Sequence, residues 1–146
     1  ISFASAHNEM LRRHPDLLPR LYEDYVFDRQ REHAPADMQT LRHPVYEFDE
    51  SGLITRLSMS LIRGGYKLAG ESIDAQGQEA LEAFESILKE AELAKEFYFE
   101  PGQIQLVNNR RCGHRRTAFV DSSDPAKRRH LVRLWLRGGG RASYHG

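Results

Sequence analysis

The chain has 146 residues, 21 basic and 21 acidic side chains, 40% hydrophobic content and one cysteine, the size of about one ordinary domain. No apolar run approaches the roughly 18 residues of a membrane span, and the lone Cys112 cannot form an internal disulfide. The composition is also too apolar and aromatic for disorder, so a reducing, cytoplasmic setting with no membrane partner is expected.

The chain opens on Ile1-Ser2-Phe3, with no initiator Met and no leader pattern, and reads as starting inside an element; a fragment is expected. Residues 4–13 have the pattern of a weakly amphipathic helix ended by Pro15, and residues 16–24, with Pro19 inside, read as a second short helical segment. Residues 25–29 suit a short strand, and residues 32–40 lack periodicity and read as loop. Residues 45–48 and 53–59 flank Asp49-Glu50-Ser51-Gly52 as the arms of a β-hairpin. In the second arm Leu53, Leu57, Met59 and Leu61 share one face, Arg56, Ser58 and Ser60 the other, and Gly64-Gly65 ends the strand.

Residues 78–94 form the clearest helix, with Leu81, Phe84, Ile87, Leu88 and Ala91 in an apolar stripe and Asp74 suited to cap it. Such a helix among strands most often covers one face of a sheet. Three strand-like runs follow: residues 96–100, residues 103–107 after a Pro101-Gly102 turn, and residues 129–137. There is no internal repeat and no low-complexity segment. The residues by themselves predict a mainly β chain, a sheet or partial barrel with flanking helices.

The neutral total charge hides an asymmetry. Residues 1–100 carry 11 basic and 19 acidic side chains, and residues 101–146 carry 10 and 2, giving nets of −8 and +8. In the last run, period-2 alternation places Arg129, Leu131, Arg133, Trp135 and Arg137 on one face and His130, Val132, Leu134 and Leu136 on the other. Arginines four apart on a strand are separated by about 13 Å at ~3.3 Å per residue, a span their side chains can bridge toward one small dianion. Arginine supplies a fixed planar fork for such an anion, although pairing with the chain's own carboxylates fits the same spacing.

His114 follows a strand-like run beside Gly113, where a metal ligand can reach a pocket, but a lone histidine is more often a hydrogen-bonded structural residue. Cys112, two residues earlier, does not build a zinc site with it and reads as a small buried residue.

Taken together, Pro101-Gly102-Gln103, Val107-Asn108-Asn109-Arg110, His114-x-Arg116-Thr117-Ala118-Phe119-x-Asp121 and Arg128-Arg129-His130-Leu131-x-Arg133-Leu134-Trp135 resemble, in order, spacing and residue type, the taurine dioxygenase and clavaminate-synthase-like family of iron(II)/2-oxoglutarate-dependent dioxygenases. A looser similarity runs upstream through Pro15-Asp16-Leu17-Leu18, Asp28-Arg29, His43-Pro44-Val45 and the hairpin. The resemblance implies a double-stranded β-helix, or jelly roll, of which residues 1–146 are a single partial catalytic domain, its C-terminal portion. It implies an enzyme that uses iron(II), 2-oxoglutarate and molecular oxygen to hydroxylate a small-molecule substrate.

By matching positions, His114 is the distant histidine of a facial metal triad, Arg133 pairs with the far carboxylate of 2-oxoglutarate, and Arg129 assists the carboxylate near the metal. Arg116 matches a recurrent family arginine of unassigned role, and it and Asn109 are candidate pocket residues.

The family's His-x-Asp/Glu metal pair and a threonine that helps hold 2-oxoglutarate are not visible in this sequence. Two local matches exist, His7-Asn8-Glu9 and His14-Pro15-Asp16. On a strand residues i and i+2 share a face, but on a helix they point about 200° apart. His7 and Glu9 fall within the expected first helix, and His14 and Asp16 straddle the proline that ends it. The chain alone is therefore expected to be inactive. Unpaired strand edges make self-association, to a homo-oligomer or larger, a further expectation.

One rival reading is a non-catalytic jelly-roll module binding a small anion or a partner protein through the arginine face. A nucleic-acid surface is not expected, because the tail has few aromatic residues and three of its arginines alternate within a strand-like run.

Overall fold

The computed structural model describes residues 1–30, 35–134 and 136. The chain divides into two compact units, Ile1–His114 and Arg115–Gly146.

In the first unit α1 (Phe3–Arg13) starts at Ser2, whose hydroxyl accepts from the Ser5 N–H, and buries Phe3, Ala6 and Met10 at i, i+3 and i+7. A 3-10 turn (Leu18–Tyr22) leads into β1 (Asp24–Asp28), which pairs antiparallel with β2 (Thr40–Pro44). Tyr25, Val26 and Phe27 are all buried, as a strand covered on both faces requires. β3 (Tyr46–Asp49) and β4 (Gly52–Thr55) form the expected hairpin, with Tyr46 opposite Thr55.

The chain then enters α2 (Met59–Ala69), which packs on β1, and α3 (Ala75–Leu88), which packs on α1. Asp74 caps α3 by accepting from the Gly77 N–H at 2.8 Å. Its carboxylate also receives Arg20 Nη2 at 2.7 Å, while the Arg20 guanidinium lies 4.2 Å from the centroid of the Tyr25 ring. Phe84, Ile87 and Leu81 close the core against Tyr46, the Phe84 and Tyr46 rings lying 5.2 Å apart.

Several expectations need correction. β4 ends at Thr55, and Leu57, Met59 and Leu61 are not one strand face: Met59 begins α2, and Gly64-Gly65 lie inside that helix. Residues 40–44 form β2, although they read partly as loop. The last long helix starts at Ala75 and stops at Leu88, leaving Ala91 exposed in a short 3-10 turn.

Residues 96–100 and 103–107 are not strands, nor are the described residues of the 129–137 run; Trp135 and Arg137 lie outside the described set. A strand is held by its ladder, and these runs have no hydrogen-bonded partner strand among the described residues. The described architecture is therefore mixed, with three α-helices and two small antiparallel sheets, where a mainly β chain was expected. No helix among the described residues is long and apolar enough to cross a membrane.

Candidate functional site

The segment before His114 is fastened to the start of the first unit and to the end of its β3–β4 hairpin. Asn108 Oδ1 accepts from the Arg110 N–H at 3.1 Å, and its backbone carbonyl accepts from the Arg111 and Cys112 N–H groups, which together build a tight turn. The Arg110 carbonyl then accepts from the Thr55 N–H at 2.8 Å, tying the turn to the end of β4. The Phe3 N–H donates to the Arg111 carbonyl and the Gly113 N–H to the Ile1 carbonyl, so residues 111–113 run against the start of α1.

A Cβ on Gly113 would lie 3.0 Å from the Phe3 ring, so any larger residue there would need that ring to shift. The Arg110 guanidinium lies 3.5 Å from both Glu47 and Asp49, and Arg111 donates to the Ser51 carbonyl. Hydrogen bonds from Ser51, and then the charges of Arg110 and Arg111, hold the Asp49 carboxyl below the usual carboxylate range.

Asn109 is half-buried in this turn, and its Oδ1 is enclosed without a hydrogen-bond partner among the described residues. His114 ends the unit as an exposed residue. Cys112 is exposed as well, which corrects the expectation of burial: its amide donates to the Asn108 carbonyl in the turn, and its side chain is left at the surface.

In the second unit Ser122 to Arg128 reverses the chain. Asp124 Oδ1 accepts from the Ala126 N–H at 3.0 Å, Pro125 starts a 3-10 turn, and Arg128 Nε donates back to the Ser122 carbonyl at 3.3 Å. The reversal brings Arg129 back to Phe119. Arg129 Cζ lies 4.2 Å and Arg116 Cζ 4.3 Å from the centroid of that ring. Arg133 is exposed in the same unit. Asp121 and Asp124 are the carboxylates among the unit's described residues, and Asp124 is engaged by Lys127 at 3.8 Å. The unit thus gathers Arg116 and Arg129 on one ring, a pairing that strand periodicity alone does not reveal.

Phe119 was missed as a functional candidate. The available signal was its place three residues after Arg116, before a turn-forming Asp-Pro pair.

The described residues do not by themselves make an iron site. No group of three or more His, Cys, Asp or Glu among them could hold a metal ion. His7 lies on α1 with Nε2 2.7 Å from the Tyr22 hydroxyl, and Glu9, on the same helix, pairs with Arg12 and Arg13. His14 caps the C-terminus of α1, and Asp16 lies within the turn that follows. Neither pair has the strand geometry of a chelating couple, as expected from the sequence.

Compared with known proteins, residues 1–135 match the family model described as "Taurine catabolism dioxygenase TauD, TfdA family". The chain belongs to this family. It is 31% identical over 134 residues to the FR-33289 synthase of Streptomyces rubellomurinus, covering 89% of this chain and 39% of that protein. It is 29% identical over 138 residues to the taurine hydroxylase-like protein SAT17 of Stachybotrys chartarum, covering 90% of this chain and 34% of that protein. The chain thus spans less than two-fifths of the length of these relatives.

Proposed function

We propose that the chain acts within a longer protein as the C-terminal part of an iron(II)/2-oxoglutarate-dependent dioxygenase that hydroxylates a small organic substrate with molecular oxygen. The observation that carries this reading is the family match along residues 1–135. A jelly roll completed by further chain gives residues 96–107 and 129–134 the partner strands they lack among the described residues.

In this reading Arg133 binds the far carboxylate of 2-oxoglutarate and Arg129 assists the one nearer the metal. A guanidinium offers a carboxylate two parallel N–H donors, and this unit holds few competing carboxylates among its described residues. His114 is assigned as one metal ligand, the other two coming from outside this chain, and Asn109 and Arg116 border the pocket.

An anaerobic titration with iron(II) and 2-oxoglutarate tests the reading through the visible charge-transfer band of the chelate, on the 146-residue chain and on the protein as its native gene encodes it. The expected result is a band in the gene-encoded protein, none in the 146-residue chain, and loss of the band in His114→Ala. A band in the short chain would show that His7/Glu9 or His14/Asp16 completes a metal site. No band in either would sink the oxygenase reading in favour of a non-catalytic anion-binding module.

A further inference from the structure

Phe119 is the one benzene ring among the described residues of the second unit, and two guanidiniums lie within 4.3 Å of its centroid. The ring is 44% exposed, so burial in a core does not account for its position. Neither Arg116 nor Arg129 has an ion-pair partner among the described residues, and like charges repel. What draws both to one place is the negative face of the aromatic ring, which attracts a planar cation. An arginine free in water loses rotamer freedom when it captures an anion, whereas one already stacked has given up part of that freedom.

We propose that Phe119 is a positioning residue for the anionic cosubstrate. It seats the Arg129 guanidinium so that a carboxylate meets a pre-oriented fork, and it holds Arg116 on the same ring as a second positive charge. The inference rests on the assignment of Arg129 to 2-oxoglutarate made above, and it gives Arg116 a role that the sequence left open.

The test uses the gene-encoded protein and two readouts other than turnover: the affinity for 2-oxoglutarate by anaerobic calorimetry, and the arginine Nε–Hε resonances by nitrogen-15 NMR. In the wild-type protein the Arg129 Nε–Hε proton is expected upfield, shifted by the ring current of Phe119. Phe119→Leu keeps an apolar side chain but removes the π face; it should abolish that shift and weaken 2-oxoglutarate binding about two- to fivefold. Phe119→Tyr and Phe119→Trp, which retain a face, should keep both near wild type.

The two levels of the argument fail separately. If Arg129→Gln binds 2-oxoglutarate as the wild type does, the assignment of Arg129 falls and this inference with it. If Arg129→Gln weakens binding while Phe119→Leu does not, the positioning role alone is overturned. A wild-type Arg129 resonance without a ring-current shift overturns it too, whether or not the Phe119→Leu protein folds.

Discussion

Gly65 sits so close to β1 that a Cβ would fall 2.3 Å from the Val26 carbonyl oxygen and 2.6 Å from the Phe27 carbonyl carbon. Backbone atoms on a paired strand cannot yield, so Gly65→Ala should destabilise the fold by about 3 kcal/mol, despite alanine's better helix propensity; urea unfolding measures it. Read as a strand terminator, the same glycine looks local, whereas its real reason is the approach of α2 to a distant strand.

Asp74 carries a second residue-scale prediction. The Arg20 hydrogen bond, and next the Gly77 N–H, hold its carboxyl below the ordinary range, so the folded-state value is depressed. Its contribution is complete above the unfolded-state value of about 3.9 and is lost as pH falls through the lower native value. Asp74→Asn should flatten stability against pH across that acid window. At neutral pH it should cost about 1–2 kcal/mol, discounted for the half-exposed carboxylate, because asparagine still caps α3 but leaves the buried Arg20 with only the exposed Glu23 carboxylate, 3.7 Å away, as counter-charge.

At the scale of elements, what was legible in the sequence depended on how local the deciding contacts are. α1, α3 with its Asp74 cap, β1 and the Asp49–Gly52 turn of the hairpin follow from periodicity and turn residues within a dozen positions. α2 did not, because Leu57, Met59 and Leu61 alternate as a strand would, while Ile62, Gly65 and Tyr66 bury a helical face. The runs at 96–100 and 103–107 have strand composition, but a strand also needs a neighbour, and composition carries no information about where one is. Hydrogen exchange on the 146-residue chain should show this: amides of β1 and α3 protected, those of residues 97–107 exchanging nearly as in an unfolded peptide. Strong protection across 97–107 would mean that the chain builds a ladder of its own.

For the molecule as a whole, the large apolar side chains left at the surface cluster late in the sequence. Tyr98, Ile104, Leu106 and Val120 are each more than 80% exposed, and Val132, Leu134 and Leu136 more than 75%. Free edges and apolar faces invite pairing with another chain, so the 146-residue chain should associate as its concentration rises in sedimentation velocity. A monomer at all concentrations, unfolding in one cooperative step, would instead mark an independent domain. The same long reach governs how the His114 segment is put in place. Ile1 and Gly113, hydrogen-bonded to each other, stand 112 residues apart in sequence. Closing so large a loop costs more chain entropy than forming the β3–β4 hairpin or either long helix. The local pieces can therefore assemble first, and the backbone just before His114 gains its anchor only when the two distant stretches of chain meet, which makes its placement an outcome of late folding and not of local sequence.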